Sequence, residues 1–452
     1  MRILFTLVLI LFSSLSMSQS KTTSQVHEFK LDNGLKIRVK EDHRAPVVVA
    51  MLWYNVGSAD EPGGISGVSH ALEHLMFKGT PRYPLGVFSK IIAAQGGQEN
   101  AFTSNDYTAY FEKIANTRLA TSFALEADRM QNLLLAKDEF AKEIKVIQEE
   151  RRLRTDDNPQ ALTFERFLAS AHLSPPYAHP VIGWMSDLEH MTVKDANIWY
   201  HRYYTPNNAC LVVVGDVNAT EVYKLAKKHF AKLKKHPLPQ RRQQQEPPCL
   251  GIKTVEVHAR AQIPLLMLGF NAPSLKSATS AQAQDPYALE ILAGLLDAGD
   301  SARLTQNLIR GQHIASGVEV SYDVYTRYPT QFMLYGTPSQ SHSINELRKS
   351  MLAELTRLQN EPVSQQELNR VKTQLIAQKT FEKDSIFGQA MEIGLLETLD
   401  LGSKTAENYV QALQKVSASD VQRVAKTYFR TACMTQARLI PIQSNQPARA
   451  KP

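Results

Sequence analysis

Apolar and polar residues alternate over residues 26–31 and again over 35–39, with Asp32-Asn33-Gly34 between the two runs. Alternation of period two sends successive side chains to opposite faces of a strand, and an Asn-Gly dipeptide suits a tight hairpin turn. Two antiparallel strands are therefore predicted here. Residues 47–56 form a nearly unbroken apolar run, as expected of a strand covered on both faces. The segment 57–67, rich in Gly and acidic residues, reads as a loop. Helical spacing predicts helices over 66–77, 84–95, 119–135 and 137–154. Strand-like content returns within 100–114, in the pieces Ala101-Phe102-Thr103 and Thr108-Ala109-Tyr110-Phe111. A helix over 193–203, a buried strand over 210–217 and a helix over 220–232 complete this stretch.

Residues 234–250 break the pattern. They are polar and proline-rich, with almost no apolar content, and read as a solvated, semi-rigid linker. Beyond it the order of elements recurs. Strands are predicted over 253–257 and 265–270, helices over 287–296 and 301–310, strands over 317–325 and 331–337, and helices over 344–358, 365–382 and 406–413. Two halves of similar length and order suggest an internal duplication, although they share no motif alignable by eye. The chain divides into residues 26–233, the linker, residues 251–441 and a polar tail, 442–452.

Composition adds limits. A chain of 452 residues is too long for one core and calls for about two to four domain-sized units. Hydrophobic content of 43% and charged content of 21% are those of a folded globular protein. The formal net charge of +7 gathers in Lys227-Lys228, Lys232, Lys234-Lys235 and Arg241-Arg242. These read as a solvated basic face and linker. No basic stripe with interleaved aromatics and no reader motif points to nucleic acid. Cys210, Cys249 and Cys433 are widely spaced, which argues against a disulfide framework or a cysteine zinc site. One incidental disulfide is compatible with an oxidising compartment, and Cys210, in an apolar run, reads as a buried small hydrophobe. At the N-terminus, Arg2 precedes an apolar run over 3–12 and then a small-residue stretch, 13–18. That layout predicts a cleaved signal peptide over 1–18 and a periplasmic or secreted protein. No segment reads as a stable membrane span.

The chemistry centres on His70-Ala71-Leu72-Glu73-His74. Residues four apart share a helix face, about 5–6 Å between Cβ atoms, so two imidazoles can grip one ion. Glu73 lies on the same face, able to reach a water beside that ion yet displaced from the ligand positions. Two imidazoles and a carboxylate, with one position open, suit zinc. A third ligand must come from elsewhere. The best candidates lie in the helix around Glu143 and Glu150, which are seven apart and share a face, whereas Glu149 is turned about 100° away.

With these strings in view the sequence resembles the M16 peptidases, the pitrilysin-like inverzincins. It is most similar to the half-length subgroup that includes mitochondrial processing peptidase beta subunits and many bacterial zinc proteases. The resemblance is carried by Leu31 to Leu35, Gly64 to Thr80, Gly96-Gly97-Gln98-Glu99-Asn100-Ala101-Phe102-Thr103, Val146 to Arg151 and Val212-Val213-Val214-Gly215-Asp216. It covers most of residues 28–220 in order and is looser in the second half. It implies an α+β chain of two homologous α/β sandwich domains of the LuxS/M16 metalloenzyme type, each an antiparallel-rich sheet packed with helices. It implies that His70, His74 and Glu150 bind zinc, that Glu73 is the general base, and that Glu143 assists catalysis from outside the ligand set. Asn100-Ala101 matches the segment that binds peptide substrate as an added strand.

One departure stands out. Active single-chain or homodimeric members use an arginine and a tyrosine, seven apart, from a later domain to bind and polarise the scissile carbonyl. Arg310 fits the arginine, but the tyrosine slot falls on Gly317 or Ser316, and Tyr322 lies too far along. The resemblance thus implies a homodimer, or a heterodimer with a related subunit that supplies the pair. Zinc endopeptidase is the leading expectation. A non-catalytic scaffold of the same fold and a metal-storage protein are the alternatives. No nucleophile motif supports a serine or cysteine hydrolase.

Overall fold

The computed structural model describes residues 25–174, 176–241 and 246–442. The expected signal peptide, linker residues 242–245 and all but the first residue of the expected tail lie outside them.

The first half begins with the predicted hairpin, β1 (His27–Lys30) and β2 (Lys36–Glu41), followed by β3 (Val47–Tyr54). Helices α1 (Val68–Leu75) and α2 (Val87–Ala94) lead to β4 (Gln98–Thr103) and β5 (Thr108–Ala115). Five helices follow: α3 (Leu119–Asn132), α4 (Lys137–Arg151), α5 (Pro159–Ala171), α6 (Met185–His190) and α7 (Val193–Tyr203). The half closes with β6 (Ala209–Gly215) and α8 (Ala219–Phe230). The second half runs β7 (Lys253–Ala259), β8 (Leu265–Ala272), α9 (Asp285–Asp297), β9 (Ala315–Ser321) and β10 (Thr330–Pro338). Helices α10 (Ile344–Asn360), α11 (Gln365–Glu382), α12 (Ile386–Thr398), α13 (Ser403–Lys415) and α14 (Ala418–Tyr428) then lead to β11 (Thr435–Pro441).

The sheet orders are β1-β2-β6-β3-β5-β4 and β7-β11-β8-β10-β9. In the first, β2 pairs parallel with β6 and the remaining pairs are antiparallel. In the second, β7 pairs parallel with β11 and the remaining pairs are antiparallel. Apart from the extra edge strand β1, the two halves have one topology, which bears out the duplication read from element order.

One face of each sheet packs on its own helices, giving two main cores. The other face is covered by a helix from the opposite half. Ile393 and Ala390 of α12 pack on Val49, Met51 and Trp53 of β3. Phe167 and Ala171 of α5 pack on Met267, Ala437 and Leu439 of the second sheet. Glycines permit both approaches: a Cβ on Gly394 would overlap the Trp53 indole, and one on Gly269 would overlap the Phe167 ring. Arg38 on β2 ties this exchange with an ion pair to Glu397 of α12 at 2.9 Å.

Helices α5, α6, α12 and α14 and strand β11 were not predicted. In α12 the signal is weak because Gly388 and Gly394 dilute a mixed apolar sequence. Only burial against the other half's sheet makes it a helix worth forming. The helix expected over 301–310 is instead a wide, π-type turn at Thr305–Gly311. Cys249 and Cys433 form a disulfide with Cα atoms 5.5 Å apart, and Cys210 is buried and free.

Candidate metal centre

Helix α1 starts where two backbones cross. Gly67 has φ +87°, and a Cβ on it would overlap the carbonyl of Ile182, while a Cβ on Gly183 would overlap that of Ser66. Glycine is the residue that permits both the left-handed turn and the contact. The first amides of the helix have no intrahelical partners. The buried carboxylate of Glu61 takes them, accepting from Gly67 N–H at 2.6 Å and Ser69 N–H at 2.8 Å. Burial raises Glu61 to about 7 despite these bonds.

One turn on, His70 and His74 project side by side, ring centroids 4.7 Å apart. Helix α4 lies across them, with Asp138 and Glu139 in its first turn and Arg151 in its last, a distribution favoured by the helix dipole. It brings Glu150 Oε2 to 3.8 Å from His70 Nε2 and 3.4 Å from His74 Nε2. One ligand atom from each of His70, His74 and Glu150 lies within 4.8 Å of the others. Tetrahedral bonds of about 2.0–2.1 Å put neighbouring ligand atoms about 3.3 Å apart, so the group fits zinc with little movement. Among the described residues it is the one group of three or more His, Cys, Asp or Glu so placed.

The donors are prepared for this. His74 Nδ1 bonds Glu143 Oε1 at 2.9 Å, which assigns the proton to Nδ1 and leaves the Nε2 lone pair facing Glu150. Burial alone would raise Glu143, but its bonds to Lys78 and His74 bring it below the usual carboxylate range. Burial, then the neighbouring His74 and Arg154, lowers His70 to about 3, so its imidazole is neutral. Its Nδ1 is buried without a hydrogen-bond partner among the described residues. Glu150 Oε1 is held by Arg154 at 2.7 Å. Glu73 is raised by burial against the opposing bond from Thr103, whose hydroxyl donates to Glu73 Oε2 at 2.5 Å.

That bond joins the site to β4, the edge strand carrying Asn100 and Ala101. The metal group, these two residues, Phe164 of α5 and Met267 of β8 line one cleft of about 1240 Å³, shared by both halves. Arg310 is not brought there. It pairs with Asp300 at 2.8 Å and is half exposed. Gly317 and Ser316 lie on β9, and the Tyr322 hydroxyl donates to the Pro273 carbonyl at 2.5 Å. None of these three lines the cleft. The sequence reading missed Glu61, Lys78, Thr103 and Arg154. A spacing of four after His74 and Glu150 was the available sign for Lys78 and Arg154. Glu61 and Thr103 reach the site only through the fold.

Known proteins resemble this chain over most of its length. A model described as insulinase (peptidase family M16) matches residues 36–183, and one described as peptidase M16 inactive domain matches 190–375. The zinc protease PqqE of Helicobacter pylori is 34% identical over 422 residues, covering 91% of this chain and 92% of that protein. An uncharacterized zinc protease of Rickettsia bellii is 26% identical over 407 residues, covering 89% and 95%. The crystal structure of a protease from Helicobacter pylori superposes with a TM-score of 0.87 at 32% identity, covering 92% of this chain and 100% of that one. The first half of the periplasmic protease PqqL from Escherichia coli shares the fold, with a TM-score of 0.76 at 19% identity over 92% of each chain.

Proposed function

The chain belongs to the M16 peptidase family, and on that premise we propose that it is a zinc-dependent endopeptidase acting on extended or unfolded peptides. The observation that carries the proposal is the convergence of His70 Nε2, His74 Nε2 and Glu150 Oε2, with Glu73 beside them and uninvolved in the ligand set. His70, His74 and Glu150 would hold zinc, whose Lewis acidity makes water nucleophilic near neutral pH and polarises a carbonyl.

This chain's residues supply the rest. A peptide adds to the free edge of β4, its main chain bonding at Asn100 and Ala101 while the cleft walls receive its side chains. Glu73, raised by burial, takes a proton from the attacking water and returns it to the leaving amine. The Thr103 hydroxyl orients the Glu73 carboxylate, and Glu143 keeps the His74 ring in register. Water is consumed, one C–N bond breaks, and the products are a carboxylate and an amine.

A second M16-type chain completes the enzyme: either a related subunit that supplies the arginine–tyrosine pair broken here, or a second copy of this chain that brings its Arg310, which stays outside this chain's own cleft, without the tyrosine. The protein works in the periplasm or outside the cell, a reading supported by the N-terminal apolar run and by the Cys249–Cys433 disulfide. The test is hydrolysis of fluorogenic peptides, with and without a related subunit. Activity abolished by chelation and restored by zinc supports the proposal. Stoichiometric zinc with no hydrolysis under either condition favours the scaffold.

A further inference from the structure

We infer that Arg327, in the second half, is a positioning residue for the metal centre, acting through Asp60 and Glu61 on the start of α1. This rests on the metal reading above but assigns a role to residues outside the ligand set. Arg327 follows β9 and crosses to the first half, where its guanidinium is nearly buried. It donates to Asp60 Oδ2 at 3.2 Å, to Asn55 Oδ1 at 2.7 Å and to the Asp106 carbonyl. Its backbone N–H donates to Asp106 Oδ2 at 2.9 Å, and the Tyr177 hydroxyl donates to the same oxygen at 2.6 Å. Arg241 of the linker also donates to Asp60 Oδ1, at 2.6 Å.

These partners lie on or next to segments that shape the cleft. Asp106 lies in the turn after β4, the proposed substrate strand. Tyr177 lines the cleft itself. Asp60 immediately precedes Glu61, whose carboxylate takes the Gly67 and Ser69 amides, three and one residues before His70. The 58–61 segment is also laid on the β4–β5 turn by Ala59 N–H donating to the Asn105 carbonyl at 2.8 Å. The Arg327 side chain thus ties the 55–60 segment, which leads into the metal-bearing helix, to the turn after the substrate strand, while its backbone N–H holds the Asp106 carboxylate and the Tyr177 hydroxyl. Only arginine has the planar fork of donors for three such acceptors. Removing it leaves the Asp60 carboxylate buried with one cation fewer, an arrangement that relaxes by moving the loop.

A matched control exists. Arg38–Glu397 is another nearly buried ion pair between the halves, at 2.9 Å, on the sheet face opposite α1. The experiment compares Arg327→Met with Arg38→Met in the full chain by zinc competition against a chromophoric chelator and by amide exchange over residues 64–75. Arg327→Met is expected to weaken zinc binding about tenfold and to speed exchange at Gly67 and Ser69 about tenfold. Arg38→Met lowers the melting temperature but leaves both readings within about twofold. Arg327→Lys restores part of the loss. The inference is overturned if the two methionine variants behave alike in both readings, or if Arg327→Met leaves both unchanged. Should Arg327→Met not fold, Arg327→Lys and Asp60→Asn are read against the same control. The exchange reading needs no metal, and neither reading needs hydrolysis, so a protein that binds zinc and cleaves nothing would sink the proposed function alone.

Discussion

The two halves share a strand order and differ in what they do with it. In the first, α1 between β3 and β4 carries His70, Glu73 and His74, and α4 after β5 carries Glu143 and Glu150. In the second, the corresponding helices are α9 and α11, and neither contains a histidine. Edge strand β4 lines the cleft, whereas no residue of its counterpart β9 does. A topology needs only apolar faces of the right period and turns of the right length, which many sequences supply. A metal centre needs particular atoms at particular places, and one lost histidine ends it. The duplicated half has kept the fold and serves by packing: it covers the first sheet with α12, lines the cleft with Met267 and reaches in with Arg327.

Several experiments test how far this division holds. The largest effect is expected at Glu73. Glu73→Gln should retain stoichiometric zinc by metal analysis and lower kcat about 10²–10⁴-fold. Retained activity would remove Glu73 from the proton transfers and unseat the first half as sole chemist. Next comes the exchange of helices. Phe167→Ala, which empties the α5 anchor on the second sheet, should cost about 3–5 kcal/mol in denaturant unfolding. Gly394→Ala, which crowds Trp53 under α12, should cost about 1–3 kcal/mol. Losses in both variants, seen at once by probes in each half, mean that the halves unfold together; separate transitions mean that the exchanged helices do not couple them. A smaller effect is expected at Glu143. Glu143→Gln keeps a bond to His74 but not the charge opposite Lys78, and should weaken zinc binding about 10–100-fold. The smallest belongs to the second half. In a homodimer, where Arg310 of one copy would serve the cleft of the other, Arg310→Ala should raise KM about three- to tenfold with kcat nearly unchanged. An unaltered KM in the presence of a partner subunit would leave Arg310 no part in substrate binding.

Legibility in the sequence followed locality. The hairpin at Asn33-Gly34, the buried runs of β3 and β6, and the helix holding His70 and His74 were all readable, because each depends on residues within a turn or two of one another. The seven-residue spacing of Glu143 and Glu150 was readable for the same reason, though the residues alone did not choose the ligand between them. Helices α5 and α12 were not readable. Their apolar residues meet partners in the other half of the chain, such as Phe167 with Met267 and Ile393 with Trp53, and no local period announces such a meeting. The pairing of Cys249 with Cys433 spans 184 residues and was equally hidden.

By itself, then, the sequence determined most of the strands and many of the helices, their repetition in outline, and the histidine pair with its neighbouring acid, since all of these are matters of identity and short spacing. Tertiary structure alone decided that Glu150 Oε2 faces both imidazoles while Glu143 turns to His74 Nδ1, that Thr103 holds Glu73, and that the second half reaches Asp60 through Arg327. The physical reason is one of range: periodicity fixes which face of a helix a side chain occupies, and only the packing of distant segments, driven by burial of their apolar faces, fixes what that face meets.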